Sequence, residues 1–280
     1  MRSIKDDGHP VALVTGGTSG IGRRTAILLA EREFRVVAVG LHADQYAETQ
    51  TMGRGELVTL EMDVTDPDAI RRVIARLPRL DAIVHCAGFG IAGSAEATPM
   101  SLARRQFDVN YFGVLQVNQI ALPLLRRTAA RTRRRGRVVI VGSIGGRVGL
   151  PYQSHYSSTK AALETYTEAL RLEGRRHGYT ATIIEPGDLS TGFTASRVIA
   201  EPADSPYRTE CQQSVNRMIH DETTGAGPDT VARAIARTLT RRDPPVRTAV
   251  GATYKTLMIL KRLLPDRLAE RIMRHLYTTS

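Results

Sequence analysis

Tyr156 and Lys160 are the residues of this 280-residue chain whose types and spacing point most directly to chemistry. They lie four positions apart in a predicted helix, so their side chains share one face, about 6 Å apart along the helix axis. A phenol with an ordinary pKa of about 10 stays protonated at pH 7, and nearby positive charge lowers that pKa. The pair is therefore a candidate proton donor in which the ammonium group of Lys160 tunes Tyr156.

The lysine is informative because the basic residues of this chain are almost all arginine. Of 39 lysine and arginine residues, only four are lysine, at positions 5, 160, 255 and 261. A compact ammonium with three donors can contact a phenol and a ribose hydroxyl together, and a rigid guanidinium fork fits that task less well. The alternative is a structural pair, in which a buried tyrosine lies beside a lysine on the helix surface.

A serine follows a predicted strand shortly before this pair. Ser143 comes after the apolar run Arg137–Val141. The carboxyl ends of parallel strands face the crevice where such sheets bind ligands, so the Ser143 hydroxyl is expected in the same site. A serine hydrolase is disfavoured because the chain contains no G-x-S-x-G motif.

An alternation of strands and helices must position these residues. Short apolar runs predict seven strands, at Val11–Thr15, Arg35–Gly40, Glu56–Met62, Asp81–His85, Arg137–Val141, Tyr179–Ile184 and Thr248–Gly251. Longer stretches predict helices at Gly20–Arg32, Ala43–Gln50, Asp66–Arg76, Ser101–Arg131, Ser154–His177 and Thr230–Thr240. This alternation is typical of a parallel sheet covered on both faces. The expected fold class is α/β, a single doubly wound Rossmann domain over residues 1–253 with a mostly parallel seven-stranded sheet and helices on both faces.

Two segments depart from the alternation. Residues 190–227 are expected to form an irregular insertion that shapes the substrate pocket. Residues 254–280 read as a basic amphipathic C-terminal helical extension. Such a segment can make peripheral membrane contact through residues 254–277, cover the substrate cleft or form a subunit contact, and the pattern leaves these alternatives open.

A glycine-rich turn joins the first predicted strand to the first predicted helix. Its residues are Thr15, Gly16, Thr18, Ser19, Gly20, Ile21 and Gly22. Glycine allows a tight turn and lets a pyrophosphate approach without meeting a Cβ atom. The helix N-terminus adds free N–H groups and a partial positive charge. A glycine cluster in this strand–turn–helix setting predicts nucleotide binding.

Several motifs, taken in chain order, resemble those of the short-chain dehydrogenase/reductase family. They are Thr15-Gly16-x-x-x-Gly20-x-Gly22, Asp63, Ala87-Gly88, Asn110-x-x-Gly113, Ser143, Tyr156-x-x-x-Lys160 and Pro186-Gly187. The resemblance covers residues 10–251. It implies a Rossmann-fold oxidoreductase that interconverts an alcohol and a carbonyl with NAD(P)(H).

The resemblance implies a catalytic role for each of four residues. Tyr156 would pass the proton, Ser143 would hydrogen-bond the substrate oxygen, and Lys160 would hold the ribose and tune Tyr156. Asn110 would hold a water molecule that extends the proton path from Lys160, and a surface asparagine is the alternative. The hydride itself belongs to the nicotinamide.

The same resemblance implies further contacts to the coenzyme. They are Asp63 and Val64 at the adenine, Ala87 and Gly88 in the turn after the fourth strand, Pro186, Gly187 and Thr191 at the nicotinamide carboxamide, and Asn110, Tyr156 and Lys160 beside the ribose. The chain departs from the family at His85 and Cys86, which stand where asparagines are usual. Cys86 is expected to be a small buried residue and not a reactive thiol.

The coenzyme preference is argued from the end of the second strand. An NAD site usually places an acidic residue there for the ribose diol. This chain has no carboxylate at that point before Asp44, and it offers Arg23, Arg24 and His42 as candidate cations. The sequence therefore favours NADP(H) over NAD(H), with His42 as a coenzyme contact.

The composition disfavours a nucleic-acid-binding protein, a membrane-spanning protein and a protein built on disulfides or a metal site. The formal net charge is +11, yet the chain has only five phenylalanines, no tryptophan and no basic–aromatic motif, so no nucleic-acid partner is expected. No apolar run reaches the ~18 residues of a membrane span. Cys86 and Cys211 give neither a disulfide framework nor a metal site, which favours the cytoplasm, with membrane contact only peripheral. The seven arginines within Arg126–Arg137 are expected to form a solvated helix cap.

The expected partner is a small-molecule substrate. Apolar residues in 190–227 favour a lipophilic carbonyl or alcohol, such as a steroid, terpenoid, retinoid or polyketide-like compound. The family resemblance also implies a homodimer or homotetramer. The alternatives are a related-fold lyase or epimerase and a non-catalytic nucleotide-binding protein.

Overall fold

The computed structural model describes residues 7–46, 48–193, 196–251, 253–256, 258, 264–265, 267–268, 270–271 and 274. The strands, in chain order, are β1 Val11–Thr15, β2 Arg35–Gly40, β3 Thr49–Met52, β4 Gly55–Glu61, β5 Ala82–His85, β6 Ile91–Ala92, β7 Gly136–Val141, β8 Tyr179–Pro186, β9 Val198–Ile199 and β10 Arg247–Val250. The α-helices are α1 Gly20–Glu31, α2 Pro67–Ile74, α3 Met100–Phe107, α4 Gly113–Thr132, α5 Ser154–Gly174, α6 Arg208–Thr224 and α7 Pro228–Thr240.

The main sheet has eight strands in the order β10-β8-β7-β5-β1-β2-β4-β3. Every pairing is parallel except that of β3 with β4. The chain runs outward from β1 on one side through β2 and on the other through β5. Ligands bind at such a reversal of strand order, outside the carboxyl ends of the strands.

Apolar residues on the two faces of the sheet form two separate layers of core. In β1, Leu13 packs in the layer that includes residues of α2, α4 and α5. Its neighbours Ala12 and Val14 face the opposite layer, with residues of α1 and α7. Alternation of side chains along a strand puts successive residues on opposite faces, so a central strand covered on both sides is apolar throughout. The predicted doubly wound α/β class is confirmed.

The predicted helix Ala43–Gln50 is wrong, and the sheet has one strand more than predicted. A short 3-10 turn covers Ala43–Gln45, and β3 then pairs antiparallel with β4. Gly53, with φ of +58°, forms the tight turn between the two strands. The open edge of β4 offers backbone partners that a short polar segment cannot find within an isolated helix.

The segment 190–227, expected to be irregular, contains a helix of 17 residues, α6. Cys211, Ser214, Val215 and Met218 are its buried residues. These four residues are spaced so that they lie on one face of a helix. The sequence therefore contains a helical pattern here, but its buried face is only a narrow stripe. The same segment also contains β9, which pairs with β6 in a second, two-stranded sheet.

The predicted long helix over Ser101–Arg131 is present in three parts. Residues 100–107 form α3, residues 108–112 form a π-helical turn, and α4 continues to Thr132 with Pro123 inside it. A π-turn inserts one residue into a helix and re-aims the side chains around it, and such turns are frequent at functional sites. Asn110 lies in this turn.

The predicted C-terminal helical extension, residues 254–280, can be compared with the structure only in part. Much of 254–280 lies outside the described residues, which begin this segment with residues 254–256 in helical conformation. Among the described residues, no helix is both long and apolar enough to cross a bilayer.

Candidate active site

The turn between β1 and α1 forms a tight cradle. Gly16 has φ of +63°, and a Cβ atom there would lie 2.7 Å from the backbone nitrogen of Ala87. A Cβ atom on Gly22 would overlap the carbonyl oxygen of Gly16. The N-cap residue, Ser19, makes no capping hydrogen bond with its side chain. The first N–H groups of α1 are thus left for an anion, and this backbone fits the pyrophosphate of a dinucleotide.

A cavity of about 840 Å³ extends from this turn along the ends of β2 and β4. Eight predicted coenzyme contacts line it, namely Gly16, Thr18, Ser19, His42, Asp63, Val64, Ala87 and Gly88. Asp63 is held in place, because its carboxylate accepts hydrogen bonds of 2.8 Å from both the backbone nitrogen and the hydroxyl of Thr65. The volume and the position suit an adenosine moiety at the reversal of strand order.

Of the three candidate cations near β2, only His42 lines this cavity. Arg24 forms an ion pair with Asp229 on α7. Arg23 donates to the Thr59 hydroxyl at 3.3 Å and lies over the ring of Tyr46, 4.2 Å from its centroid. The end of β2 carries no carboxylate, and Leu41 is half exposed there.

Two residues that the sequence did not indicate also line the dinucleotide cavity. Tyr46 donates its hydroxyl to the carbonyl oxygen of Thr18 at 2.6 Å, and Arg105 reaches the cavity from α3. Neither residue belongs to a short motif, so only the folded chain places them beside the glycine turn.

A second, smaller cavity of about 150 Å³ adjoins the first, and Gly88 lines both. Seven further predicted residues line the smaller cavity, namely Ile21, Ser143, Tyr156, Lys160, Pro186, Gly187 and Thr191. Thr15, Gly20, Gly22 and Asn110 line neither cavity. Thr15, for example, is buried and accepts a hydrogen bond of 3.4 Å from the backbone nitrogen of Ala87.

The structure brings Ser143, Tyr156 and Lys160 together. Ser143 follows β7 and accepts a hydrogen bond of 3.0 Å from the backbone nitrogen of Gly145, and it lines the same cavity as Tyr156. Lys160 donates to the carbonyl oxygen of Val141 at 2.9 Å, and its Nζ atom lies 5.7 Å from the centroid of the Tyr156 ring. A hydroxyl and a phenol that line one cavity can bind one substrate oxygen together.

The pKa of Tyr156 differs from the one expected from the sequence. Burial raises the pKa of Tyr156, and the hydrogen bond from Ser143 only partly opposes this effect. Burial lowers the pKa of Lys160 to about 8, against smaller opposing effects of Cys86 and Glu164. The expected lowering of the Tyr156 pKa is therefore wrong for the protein alone. Loss of water from the phenol outweighs the positive charge, because the ammonium group is directed to Val141.

Asn110 lines neither cavity and is fully buried. Its side-chain amide accepts from the backbone nitrogen of Phe89 and donates to the carbonyl oxygen of Phe89, both at 3.0 Å. It also donates to the Thr159 hydroxyl at 3.3 Å. The amide thereby joins the turn after β5, which carries Gly88, to the helix that carries Tyr156 and Lys160.

The two residues that depart from the family pattern are both neutral. Burial lowers the pKa of His85 to about 4, and its Nε2 atom lies 2.9 Å from the Oδ1 atom of Asn118. Burial raises the pKa of the Cys86 thiol to about 12. A thiol with that pKa is protonated at pH 7, so Cys86 is not a nucleophile there.

A charged pair beside Tyr156 was missed from the sequence. Arg197 and Glu222 form an ion pair in which the Arg197 side chain is buried and that of Glu222 is 13% exposed, and Glu222 lines the smaller cavity. Their charges shift the pKa of Tyr156 in opposite directions. Phe193 covers the phenol, with ring centroids 5.7 Å apart. The pair joins residues 25 positions apart, so no local pattern identifies it.

We expect the reduction rate to fall as pH rises through the pKa of Lys160. The family resemblance implies that Tyr156 passes a proton with the help of the Lys160 ammonium form, and this form is lost above a pKa of about 8. The value of kcat/KM for the reduced coenzyme should then decline by about tenfold per pH unit. The measurement is this profile for the wild type and for Glu164→Gln.

The Glu164→Gln variant tests whether the titration of Lys160 causes this decline of kcat/KM. Glu164 favours the charged form of Lys160, so its loss should move the break in the profile to lower pH. A profile that stays level well above pH 8 in both proteins would contradict this assignment.

Comparisons with known proteins agree with the geometry. The sequence profile of the short chain dehydrogenase family matches residues 10–201. A 3-ketodihydrosphingosine reductase of Bacteroides thetaiotaomicron is 32% identical over 95% of this chain and 97% of its own length. Human retinol dehydrogenase 8 is 26% identical over 89% of this chain and 84% of its own length.

A solved structure agrees as well. A short-chain dehydrogenase from Streptomyces avermitilis superimposes with a TM-score of 0.77 at 27% identity, over 96% of this chain and 97% of that one. The family profile, the two relatives and the solved structure all match the part of the chain that holds the glycine turn and Ser143, Tyr156 and Lys160. The chain therefore belongs to the short-chain dehydrogenase/reductase family, and it is an oxidoreductase that acts on an alcohol or carbonyl with a nicotinamide coenzyme.

Proposed function

We propose that this enzyme reduces a lipophilic ketone with NADPH, and catalyses the reverse oxidation when the alcohol and NADP⁺ are in excess. The observation that carries the proposal is that Ser143, Tyr156 and Lys160 line one cavity, which adjoins the dinucleotide cavity. A bound nicotinamide coenzyme supplies or accepts the hydride. Ser143 holds the substrate oxygen, and Tyr156 gives that oxygen its proton during reduction.

Lys160 and the residues around it complete the proposed site. The Lys160 ammonium donates to the ribose hydroxyls and favours the phenolate form of Tyr156 after proton transfer. Asn110 keeps Gly88 in position through its two bonds to Phe89. The glycine turn and the α1 N-terminus bind the pyrophosphate, and Asp63 and Val64 contact the adenine. The remaining predicted contacts, Pro186, Gly187 and Thr191, lie where the nicotinamide would be framed.

The preference for NADPH is supported by the charges at the end of β2. His42 and Arg105 line the cavity, and the sequence carries no Asp or Glu between Val39 and Ala43, at the end of β2. A 2′-phosphate can accept hydrogen bonds from these two side chains, and an unesterified ribose diol lacks the carboxylate that usually binds it at the end of this strand.

Leu41→Asp is expected to shift the preference from NADPH to NADH by about tenfold or more. A carboxylate there can accept from the ribose diol of NADH and repels the 2′-phosphate of NADPH. Leu41 is 52% exposed, so the change should not disturb the core. The measurement is kcat/KM for both coenzymes, with Leu41→Asn as the control of similar shape and no charge. Equal ratios in both variants would reject the placement of the phosphate.

The proposed substrate is a long-chain ketone with a polar group near the reacting carbon. The lining of the smaller cavity includes apolar side chains from Leu150, Phe193 and Met218, and besides Lys160 it includes two carboxylates, Asp188 and Glu222. The names of two relatives, a 3-ketodihydrosphingosine reductase and a retinol dehydrogenase, support a lipophilic compound. A carboxylate beside the reacting oxygen favours a substrate with an amino or hydroxyl group next to its carbonyl.

A substrate panel tests this proposal. The purified protein should oxidise NADPH with 3-ketodihydrosphingosine faster than with all-trans-retinal, a 3-ketosteroid or a straight-chain ketone without an amino group. Turnover highest on a substrate without a polar neighbour would reject the polar-group assignment. Coenzyme binding without turnover on any carbonyl would favour the non-catalytic nucleotide-binding protein, and product formation without net coenzyme oxidation would favour the lyase or epimerase.

A further inference from the structure

A third cavity lies at the opposite end of the sheet from the catalytic cavity. It measures about 700 Å³ and is named here the arginine cavity. Its lining is Arg133, Arg135, Arg137, Arg171, Leu172, Arg175, Thr180, Arg242 and Asp243. It adjoins the first residues of β7 and β8, whereas Ser143 follows the last residue of β7. At about 3.3 Å per residue, roughly 20 Å of strand separates it from the catalytic group.

The arginines come from a run whose expected role is only partly correct. A solvated cap at the end of α4 was expected, and Arg133 is indeed the C-cap residue of α4. Arg135 instead donates to the carbonyl oxygen of Arg175, beyond α5, at 3.4 Å. Arg137 lies in β7 and donates to the carbonyl oxygen of Arg241, beyond α7, at 2.7 Å. The run therefore reaches the ends of three helices that converge on one cavity.

Internal partners account for part of the positive charge. Arg171 donates to the Thr180 hydroxyl, to two backbone carbonyl oxygens and to Asp243. Among the described residues, the guanidinium groups of Arg133, Arg175 and Arg242 have no hydrogen-bond or ion-pair partner. The Nη1 atom of Arg137 is buried and has no hydrogen-bond partner within the same described set. Four arginine side chains that line the cavity thus have N–H groups with no acceptor among the described residues.

The charge balance of the cavity remains strongly positive. Six guanidinium groups face one carboxylate, that of Asp243. The C-terminal ends of α4, α5 and α7 each contribute about half a negative charge. An excess of about three and a half positive charges is left. Burial and the neighbouring charges of Arg135 and Arg171 lower the pKa of Arg137, which shows that these groups repel one another.

We propose that the arginine cavity binds a phosphate group, carried either by a free phosphorylated compound or by the headgroup of an anionic phospholipid. A phosphate has enough oxygens to accept from several guanidinium forks at once, and arginine matches this geometry in two-pronged contacts. The bound anion removes the repulsion among the arginines. Leu172, which is 67% exposed on the rim, offers an apolar contact beside the charged groups. This site is independent of the proposed oxidoreductase function.

The test compares two triple variants that lose the same charge. The first replaces the partnerless arginines of the cavity, Arg133→Gln, Arg175→Gln and Arg242→Gln. The control replaces three exposed arginines that do not line it, Arg32→Gln, Arg104→Gln and Arg233→Gln. Thermal unfolding and NADPH oxidation check that both triple variants fold. If the cavity triple does not fold, the double variant R133Q/R242Q takes its place.

Two probes are used on the full chain saturated with NADP⁺, so that the dinucleotide cavity does not compete. One is inorganic phosphate, titrated by calorimetry. The other is sedimentation with phosphatidylcholine vesicles, with and without about one-fifth phosphatidylglycerol. The cavity triple should weaken binding by about tenfold or more, and the control should stay within about twofold of the wild type.

The two probes separate the two sources of phosphate. If the cavity triple loses binding to anionic vesicles, the phosphate belongs to a lipid headgroup. If it loses only inorganic phosphate, the ligand is a free phosphorylated compound. Wild-type protein that binds neither probe, or two triple variants that behave alike, would overturn the proposal.

Discussion

Tyr156→Phe is expected to lower kcat for carbonyl reduction by about 100- to 10,000-fold and to leave the affinity for the coenzyme nearly unchanged. The change removes only the hydroxyl that we propose as the proton donor, in the cavity that Ser143 also lines. General acid catalysis contributes a factor of this size. The ring and its contact with Phe193 remain, so the cavity keeps its shape. The measurements are NADPH oxidation at saturating substrate and coenzyme binding by calorimetry.

Tyr179→Phe is the matched control for this experiment. Tyr179 is also buried and also has a pKa raised by burial, but it lies at the start of β8 and lines neither the dinucleotide nor the catalytic cavity. Its hydroxyl has no hydrogen-bond partner among the described residues, so its loss should leave both kcat and KM unchanged. Undiminished turnover in Tyr156→Phe would reject the proposed role of the phenol.

Gly22→Ala is expected to weaken coenzyme binding by about 100-fold. The added Cβ atom would overlap the carbonyl oxygen of Gly16, which is backbone and cannot rotate away. Relief requires that the first turn of α1 and the glycine turn move apart, and a displacement of about 1 Å can cost a factor of this size. The pyrophosphate contacts proposed for both elements are then lost together.

Calorimetric titration of the coenzyme measures this effect. Gly149→Ala is the control, since a Cβ atom at Gly149 has no neighbour within 4 Å and needs no unusual backbone angle. Thermal unfolding should be recorded for both, because separation of α1 from the turn also loosens its packing on α7. Equal coenzyme affinity in the two variants would contradict the close approach at Gly22.

The central strands and the motif residues could be predicted because their signals are local. Strands β1, β2 and β5 are covered on both faces, so each is buried at every position and mostly apolar. The glycine turn is likewise dictated by short-range geometry at Gly16 and Gly22. The i, i+4 spacing puts Tyr156 and Lys160 on one helix face whatever surrounds them.

What local patterns could not indicate depends on partners distant in the chain. The segment around Thr49–Met52 became a strand because the edge of β4 supplied hydrogen bonds. Arg197 and Glu222 meet beside Tyr156 only through the placement of α6. Tyr46 and Arg105 line the dinucleotide cavity for the same reason.

The sequence by itself determined the fold class, the position of the dinucleotide turn and the identity of the residues that we propose for catalysis. The tertiary structure decided the electrostatics, because burial acts on each group through all the atoms packed around it. It raised the pKa of Tyr156, lowered that of Lys160, and gathered six arginines from separate elements around one cavity. Spacing along a chain fixes which side chains share a face, but solvent exposure and charge balance are properties of the packed whole.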